Sequence, residues 1–188
     1  MKIIQKYFLA LIPPTEVFAK AEEIKSEIRD QFGIKYALKS PSHITLKMPF
    51  SYNESKEGFL IEKIKGFLKE QGRFQVELKG VGTFGRRVIF LDVAKSTALD
   101  QLQEKLKIFC RRELHLVEEL SDRNFRPHMT ISFKDLKESK FDGVLELVKS
   151  KCFVAKFPAE NLAILKRIEG KWILLQLLPF GEGFSEKR

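Results

Sequence analysis

Two of the three histidines in this 188-residue chain share one local pattern, in which a threonine follows the histidine by two residues and apolar residues alternate with them. The pattern is HITL at residues 43–46 and HMTI at residues 128–131. Successive side chains of a β-strand point to opposite faces of the sheet. Each motif therefore predicts a polar face backed by an apolar one. The residues expected on the polar faces are His43, Thr45, His128 and Thr130.

Two imidazoles that oppose each other across a cleft can catalyse an in-line displacement at phosphorus. A neutral imidazole removes the proton from the attacking water or hydroxyl, and a protonated one delivers a proton to the leaving oxygen. Histidine suits both roles because its ordinary pKa of about 6.5 makes both forms accessible near neutral pH. Threonine hydroxyls can donate hydrogen bonds to the non-bridging oxygens, where charge grows in the transition state. This chemistry requires neither a metal nor a cofactor.

A zinc site is the alternative for two histidines on separate strands. Zinc needs at least one further protein ligand, and no Asp, Glu, His or Cys recurs at a matching offset. The third histidine, His115, lacks the threonine partner and is predicted to lie at the surface or to cap a helix. An acid–base pair without a metal is therefore the prediction.

The two motifs fall within a longer repeat. Periodicity of apolar residues predicts a β-α-β-α-β unit in residues 1–84 and again in about 88–180, forming a single α+β domain. If the two copies pack about a pseudo-two-fold axis, both polar pairs face one cleft. The offsets between matching landmarks are 82 residues from Phe8 to Phe90, 85 from His43 to His128 and 83 from Phe74 to Phe157.

The composition indicates which kinds of molecule the chain can be expected to bind. A formal net charge of +9 favours phosphates, nucleic acids or anionic membranes, although solvated lysine faces are an equal alternative. The two cysteines, Cys110 and Cys152, form no disulfide framework or metal motif. No apolar stretch approaches the roughly 18 residues of a membrane span, and the N-terminal segment lacks a signal-peptide cleavage site. A cytoplasmic monomer without a membrane partner is expected.

The paired motifs, the segment RPHMTISF and the segment VGTFGRRVIFLDV resemble the two-histidine phosphoesterase superfamily, which includes 2′-5′ RNA ligase-like proteins and cyclic nucleotide phosphodiesterases. The resemblance covers nearly the whole chain. It implies a bilobal fold in which two antiparallel sheets form a cradle with helices outside, and in which the termini share one lobe. It also implies that His43 and His128 are catalytic, that Thr45 and Thr130 bind phosphate, and that the chemistry is metal-independent.

The resemblance also suggests substrate-binding residues. It places Phe84 and Arg86 after a strand at the cleft rim, where they can stack a base and hold a phosphate. A core phenylalanine and a solvated arginine are the alternative. Phe133 continues the face of the second motif and can pack against a nucleobase or line the cleft floor.

Strand alternation adds two cations, Lys47 and Arg126. They lie four residues after His43 and two residues before His128, so both are expected to point towards the cleft. Pro127 can disturb this alternation for Arg126. Lys166, on a strand near the end of the second copy, is a further candidate for substrate binding.

The leading hypothesis is a metal-independent phosphoesterase that acts on RNA ends or nucleotides, at a 2′,3′-cyclic phosphate or a 2′-5′ phosphodiester, by hydrolysis or ligation. The alternative is a non-catalytic RNA- or nucleotide-binding module with the same cradle. Binding alone does not require a paired proton donor and acceptor, which favours the enzyme. The near symmetry of the motifs does not assign the acid and the base.

Overall fold

The computed structural model describes residues 3–182. None of the helices in that range is long and apolar enough to cross a membrane. The strands are β1 (Ile4–Leu11), β2 (Ile44–Asn53), β3 (Phe74–Phe84), β4 (Val88–Val93), β5 (His128–Ser132), β6 (Val154–Ala159), β7 (Asn161–Ile168) and β8 (Lys171–Pro179). The α-helices are α1 (Thr15–Phe32), α2 (Glu57–Leu68), α3 (Thr97–Glu113), α4 (Leu120–Arg123) and α5 (Glu138–Ser150). Two 3₁₀ helices span Tyr36–Lys39 and Glu54–Lys56.

The eight strands form one antiparallel sheet in the order β6-β3-β4-β5-β2-β1-β7-β8. One half of the sheet consists of β6, β3, β4 and β5, and the other of β2, β1, β7 and β8. The halves are joined by a single residue pair, Ile44 of β2 with Met129 of β5. A mixed fold of helices and antiparallel strands is thus confirmed. The prediction of two separate sheets is wrong, because the main chains of β2 and β5 come close enough to pair where each strand begins.

The halves of the sheet do not coincide with the predicted copies. A strand, a helix and a strand follow one another from β1 to β2, and the same order recurs, with α4 added, from β4 to β5. Yet β3, from the first predicted copy, lies beside β4 and β6 of the second. One half therefore takes the strands nearest the two ends of the described chain, and the other takes those from its middle. The duplication itself stays a prediction.

The larger hydrophobic core lies between one face of the sheet and the helices. Alternate residues of β1, Tyr7, Leu9 and Leu11, are at most 1% exposed within it. The helices contribute apolar residues at helical spacing, such as Leu99, Leu102 and Leu106 of α3. Burial of these stripes holds the helices against the sheet.

A second, smaller cluster covers part of the other face of the sheet. It contains the remaining residues of the β1 alternation, Phe8 and Ala10, together with Ala163 and Leu165 of β7. Trp172 of β8 packs against it. Strand β1 is consequently buried on both faces, and the face that carries this small cluster also carries the cavity described next.

Candidate active site

Both repeated motifs lie at the residue pair that joins the halves of the sheet. His43 immediately precedes β2, and His128 is the first residue of β5. The joining pair is Ile44 with Met129, in antiparallel strands. One residue to either side of this pair, His43 therefore lies opposite Thr130, and Thr45 lies opposite His128. One cavity of about 530 Å³ is lined by all four side chains, His43, Thr45, His128 and Thr130. The structure thus brings together the four residues that the sequence predicts to be catalytic.

The two imidazoles are held by the same hydrogen bond. Nδ1 of His43 lies 2.6 Å from the carbonyl oxygen of Pro41, and Nδ1 of His128 lies 2.7 Å from that of Arg126. A carbonyl oxygen only accepts, so Nδ1 must carry the proton in each ring. This fixes the tautomer and leaves Nε2 as the nitrogen free to exchange protons in the cavity.

An aromatic ring from the preceding strand packs against each imidazole. The ring centroid of Phe8 in β1 lies 4.7 Å from that of His43, and the ring centroid of Phe90 in β4 lies 5.0 Å from that of His128. Neither phenylalanine was expected at the site, although the two stand at matching positions in the predicted repeat. Their equivalent contacts extend the similarity of the two motifs to the strands beside them.

A further aromatic ring packs against each of these two pairs of rings. Trp172 contacts Phe8 edge-on at 4.7 Å between centroids. Phe84 contacts Phe90 at 4.6 Å and His128, edge-on, at 4.9 Å. Phe84 lines the cavity as predicted, and it also packs against the ring of His128. Trp172, which also lines the cavity, could not be identified from the sequence because its contact depends on the β7–β8 hairpin.

Burial and nearby cations make both imidazoles reluctant to protonate. Burial lowers the pKa of His43 to about 4, and the positive charge of Lys25 acts in the same direction. Burial also lowers the pKa of His128, assisted by the charge of Arg126. The hydrogen bonds to the two carbonyl oxygens oppose these effects. Surrounded by protein groups alone, both histidines are therefore neutral near pH 7.

The threonine hydroxyls are available to a ligand. Thr45 pairs with Ala10 of β1, and Thr130 pairs with Phe90 of β4, so the main chain of both residues is fixed by the sheet. Both side chains are half-buried. Among residues 3–182, neither hydroxyl has a hydrogen-bond partner. Each can therefore donate its proton to an oxygen atom bound in the cavity.

Lys47 does not point into the cavity, contrary to the prediction. Its side chain is 3% exposed, and its ammonium donates hydrogen bonds to Asp122 Oδ2 at 2.6 Å and to the carbonyl oxygen of Val117 at 3.0 Å. Leu9 and Ala10 of β1 are consecutive, but their partners in β2, Lys47 and Thr45, are separated by one extra residue. This β-bulge breaks the alternation and turns Lys47 to the opposite face.

Lys166 is also directed away from the cavity, so its prediction is wrong. Its ammonium binds Glu54 at 2.7 Å and Glu57 at 2.6 Å, and lies 5.7 Å from the ring centroid of Tyr7 in the larger core. Burial alone would lower its pKa, but the two carboxylates raise it above the ordinary value. β7 is buried on both faces over most of its length, so the sequence did not show which face carried the lysine.

The two predicted arginines differ in their placement. Arg86 donates to both carboxylate oxygens of Asp142, at 3.0 and 2.7 Å, and lies over the ring of Phe141. It is thus bound to α5 and not directed into the cavity, a contact between residues 56 positions apart that a local pattern does not show. The guanidinium of Arg126 stacks on Phe84 and Phe90, at 5.1 and 5.3 Å, and Arg126 is not among the described residues that line the cavity, contrary to the prediction.

A second aromatic pair lines the cavity. Phe133, where the sequence predicts it, contacts Tyr36 edge-on at 5.1 Å between ring centroids. Tyr36 was not predicted because it lies seven residues before His43, in a 3₁₀ helix to which strand alternation does not apply. Four cations that line the cavity were also missed because they lie outside the two repeated motifs, namely Lys6, Lys39, Lys134 and Arg167.

Among the described residues, the Lys, Arg, Asp and Glu side chains that line the cavity are all cations. Within residues 3–182, no Asp or Glu lines the cavity. Nor does that part of the chain contain a group of three or more His, Cys, Asp or Glu placed to hold a metal ion. The histidines, hydroxyls, aromatic rings and cations of the cavity favour an anionic, partly aromatic ligand.

Comparison with known proteins agrees with this lining. A family model described as the 2′-5′ RNA ligase superfamily matches residues 13–171. A Bacillus anthracis protein named "Putative phosphoesterase" is 27% identical over 160 residues, which cover 83% of this chain and 88% of that protein. A Bacillus mycoides protein of the same description is 26% identical over 159 residues, with 82% and 87% covered.

Solved structures share the fold. The protein TT0787 of Thermus thermophilus superposes with a TM-score of 0.63 at 18% identity, covering 93% of this chain and 97% of that one. LigT of E. coli in its apo form gives a TM-score of 0.60 at 18% identity, with 95% and 99% covered.

The support of His128 can be tested at Gly82. A β-carbon on this residue would overlap the ring of Phe90, which packs against His128. Overpacking of this kind costs about 1–3 kcal/mol. We expect Gly82→Ala to lower the free energy of unfolding by that order in urea titrations and to shift the ring resonances of His128 in NMR spectra. Gly66→Ala, where the added methyl meets open space, is the control. Unchanged His128 resonances in Gly82→Ala would contradict this account.

The buried pair of Lys47 and Asp122 gives a second test. Both side chains are at most 3% exposed, and removing one partner of a buried pair costs about 3–5 kcal/mol. Lys63 and Glu113 form an exposed pair, which is worth about 1 kcal/mol or less. Urea titrations should therefore show a much larger loss of stability for Lys47→Met than for Lys63→Met. Equal losses would show that Lys47 is not held as described.

Proposed function

Because the chain belongs to the 2′-5′ RNA ligase superfamily, we propose that it is a metal-independent phosphoesterase that acts on RNA ends or nucleotides. Its reaction is the hydrolysis of a 2′,3′-cyclic phosphate, or the hydrolysis or formation of a 2′-5′ phosphodiester. One observation carries the proposal. Two imidazoles with the same tautomer, each across from a threonine hydroxyl, line one cavity.

The paired imidazoles can move the two protons that cyclic phosphate hydrolysis requires. As a water oxygen attacks phosphorus, its proton passes to Nε2 of the neutral imidazole. The protonated imidazole gives its Nε2 proton to the ribose oxygen whose bond to phosphorus breaks. The two rings have then exchanged protonation states, and proton exchange with solvent restores the starting form.

The threonines act on the phosphate itself. In the transition state negative charge grows on the two non-bridging oxygens, and the hydroxyls of Thr45 and Thr130 donate hydrogen bonds to them. Because the sheet fixes the main chain of both residues, the donors require little reorganisation during the reaction. In ligation a 5′-hydroxyl takes the place of the attacking water, and the same hydrogen bonds stabilise the non-bridging oxygens in its transition state.

The substrate supplies the negative charge that the lining of the cavity lacks. Both histidines are neutral before binding, because burial lowers their pKa values. A phosphate bound between them stabilises the imidazolium form and raises the pKa of the ring that becomes the acid. The catalytic protonation state therefore forms together with the substrate complex.

The lining of the cavity supports a nucleotide or an RNA end as the substrate. Tyr36 and Phe133 offer aromatic surfaces for a base, and the cations of the same lining, such as Lys134, attract the phosphate. LigT of E. coli, which shares the fold, has been solved with 3′-AMP, with ATP and with NADP+.

Replacement of either catalytic histidine tests the proposal. His43→Ala and His128→Ala should each reduce the turnover of RNA oligomers ending in a 2′,3′-cyclic phosphate by about 10²–10⁴-fold, the usual contribution of acid–base catalysis. Product analysis by chromatography measures the rate. His115→Asn is the matched control, because His115 is exposed, lies outside the cavity and has a φ of 53°, which asparagine tolerates.

Retention of full activity in either alanine variant would refute the acid–base assignment. Circular dichroism and urea titrations verify that the variants fold. If the wild-type protein binds these oligomers in a salt-dependent manner but turns none of them over, and the double variant binds equally well, the protein is instead a binding module.

The pH dependence provides an independent test. kcat/KM reports the free enzyme, in which the pKa of His43 is about 4 and that of His128 is lowered. The form with one proton on the pair is most abundant between these two values. We therefore expect kcat/KM to be bell-shaped with its optimum below about pH 6.5, the ordinary histidine pKa. The alkaline limb of kcat should lie at higher pH, because bound phosphate raises the pKa.

Initial rates across the acid and neutral range, in buffers containing EDTA, measure these profiles. A kcat/KM that stays constant into alkaline pH would show that no protonated histidine is needed. Loss of activity in EDTA would show that a metal takes part.

A further inference from the structure

A group of cations surrounds Tyr36 on the wall of the cavity. The ammonium of Lys134 donates a hydrogen bond to the Tyr36 hydroxyl at 2.9 Å and lies 4.6 Å from the ring centroid. The ammonium of Lys39 lies 4.8 Å from the same centroid. Phe133 closes against the ring edge-on. The wall therefore combines two aromatic surfaces with two positive charges.

Arg167 brings a third cation to the same cavity from another strand. Its guanidinium lies 6.0 Å from the ring centroid of Trp172. Trp172 contacts Phe8, and Phe8 contacts His43, each at 4.7 Å between centroids. Arg167 thus lines the cavity beside Trp172, in a series of contacts in which Trp172 and Phe8 lie between it and His43.

The three cations lack compensating charges. Among the described residues, no carboxylate lines the cavity, and neither Lys39, Lys134 nor Arg167 forms an ion pair there. Some cations in other parts of the structure are paired, such as Arg86 with Asp142 and Lys151 with Glu27. Like charges gathered without counter-charges repel one another and attract anions.

The titration of Tyr36 agrees with a positive potential at this point. The hydrogen bond from Lys134, followed by the charges of Lys134, Lys39 and Arg167, lowers the pKa of the Tyr36 hydroxyl, against an opposing effect of burial. The three cations therefore act on one small region of the cavity wall, at the Tyr36 hydroxyl.

We propose that Lys39, Lys134 and Arg167 form a second phosphate-binding position, which selects substrates that carry a phosphate in addition to the reacting one. This proposal rests on the proposed function in placing the reacting phosphate between His43 and His128. Tyr36 and Phe133 then offer their rings to the nucleoside that links the two phosphates. The second phosphate is either a terminal 5′-phosphate or the phosphodiester of an RNA end.

Three substrates distinguish these sources, namely adenosine 2′,3′-cyclic phosphate, the same compound with a 5′-phosphate, and a diadenylate ending in the cyclic phosphate. The wild-type kcat/KM should be higher by about tenfold or more for a substrate with a second phosphate, as expected for charge-assisted hydrogen bonds. A preference for both larger substrates indicates that a monoester and a diester are accepted. A preference for one of them identifies the source.

The double variant Lys39→Ala/Arg167→Ala should abolish this preference, so that the ratio of kcat/KM values falls towards one. Neither replaced side chain makes a hydrogen bond in the described part of the chain, which limits effects on folding. The control is Lys95→Ala/Arg112→Ala, which removes the same charge from exposed positions outside the cavity and should keep the wild-type ratio. No preference in the wild-type protein, or an unchanged ratio in the double variant, would overturn the proposal.

Equilibrium binding separates this proposal from the proposed function. Calorimetry compares adenosine 3′-monophosphate with adenosine 3′,5′-bisphosphate and needs no turnover. If none of the three substrates reacts, the hydrolysis of cyclic phosphates in the proposed function fails. Tighter binding of the bisphosphate by the wild-type protein, lost in Lys39→Ala/Arg167→Ala, would still support the second phosphate position. Equal binding of the two nucleotides by the wild-type protein would refute it.

Discussion

The pairing of Ile44 with Met129 is the contact on which the site depends. It is the one residue pair through which β2 and β5 join the halves of the sheet, and both side chains are fully buried in the larger core. Antiparallel pairing at this point decides which residues lie across from one another on the opposite face. Burial of two apolar side chains therefore also sets each imidazole across from the other motif's hydroxyl. The packing of the core and the arrangement of the histidines and threonines follow from the same register.

The electrostatics of the cavity follow from what surrounds that register. Aromatic rings and the sheet exclude water from the imidazoles, which favours their neutral forms. Cations without carboxylate partners line the same space. A lining of this kind has an excess of positive charge, which a bound phosphate would neutralise. In the proposed mechanism, affinity for a phosphate and formation of the catalytic acid are thus one electrostatic effect.

Local patterns in the sequence predicted the parts of this arrangement that local rules control. Alternation identified the polar and apolar faces at both motifs, and the repeat suggested that the motifs meet. Alternation failed for Lys47, because a β-bulge depends on how β1 and β2 pair. It also gave no guidance for Lys166, because a strand that is buried on both faces has no polar face. Arg167 lies far from the motifs along the chain and Tyr36 lies in a 3₁₀ helix before the first of them, so only the folded chain shows that both line the cavity.

The allocation of strands to the halves has a consequence for synthesis of the protein. Strands β3 to β6 are consecutive along the chain and form one half, whereas the other half combines β1 and β2 with β7 and β8. The consecutive half can pair its strands while translation continues, but β1 has to wait for its neighbour β7. His43 lies on the half that waits. During translation the cavity is therefore completed late, and the nascent chain has no cavity wall from Arg167 or Trp172 until β7 and β8 have left the ribosome.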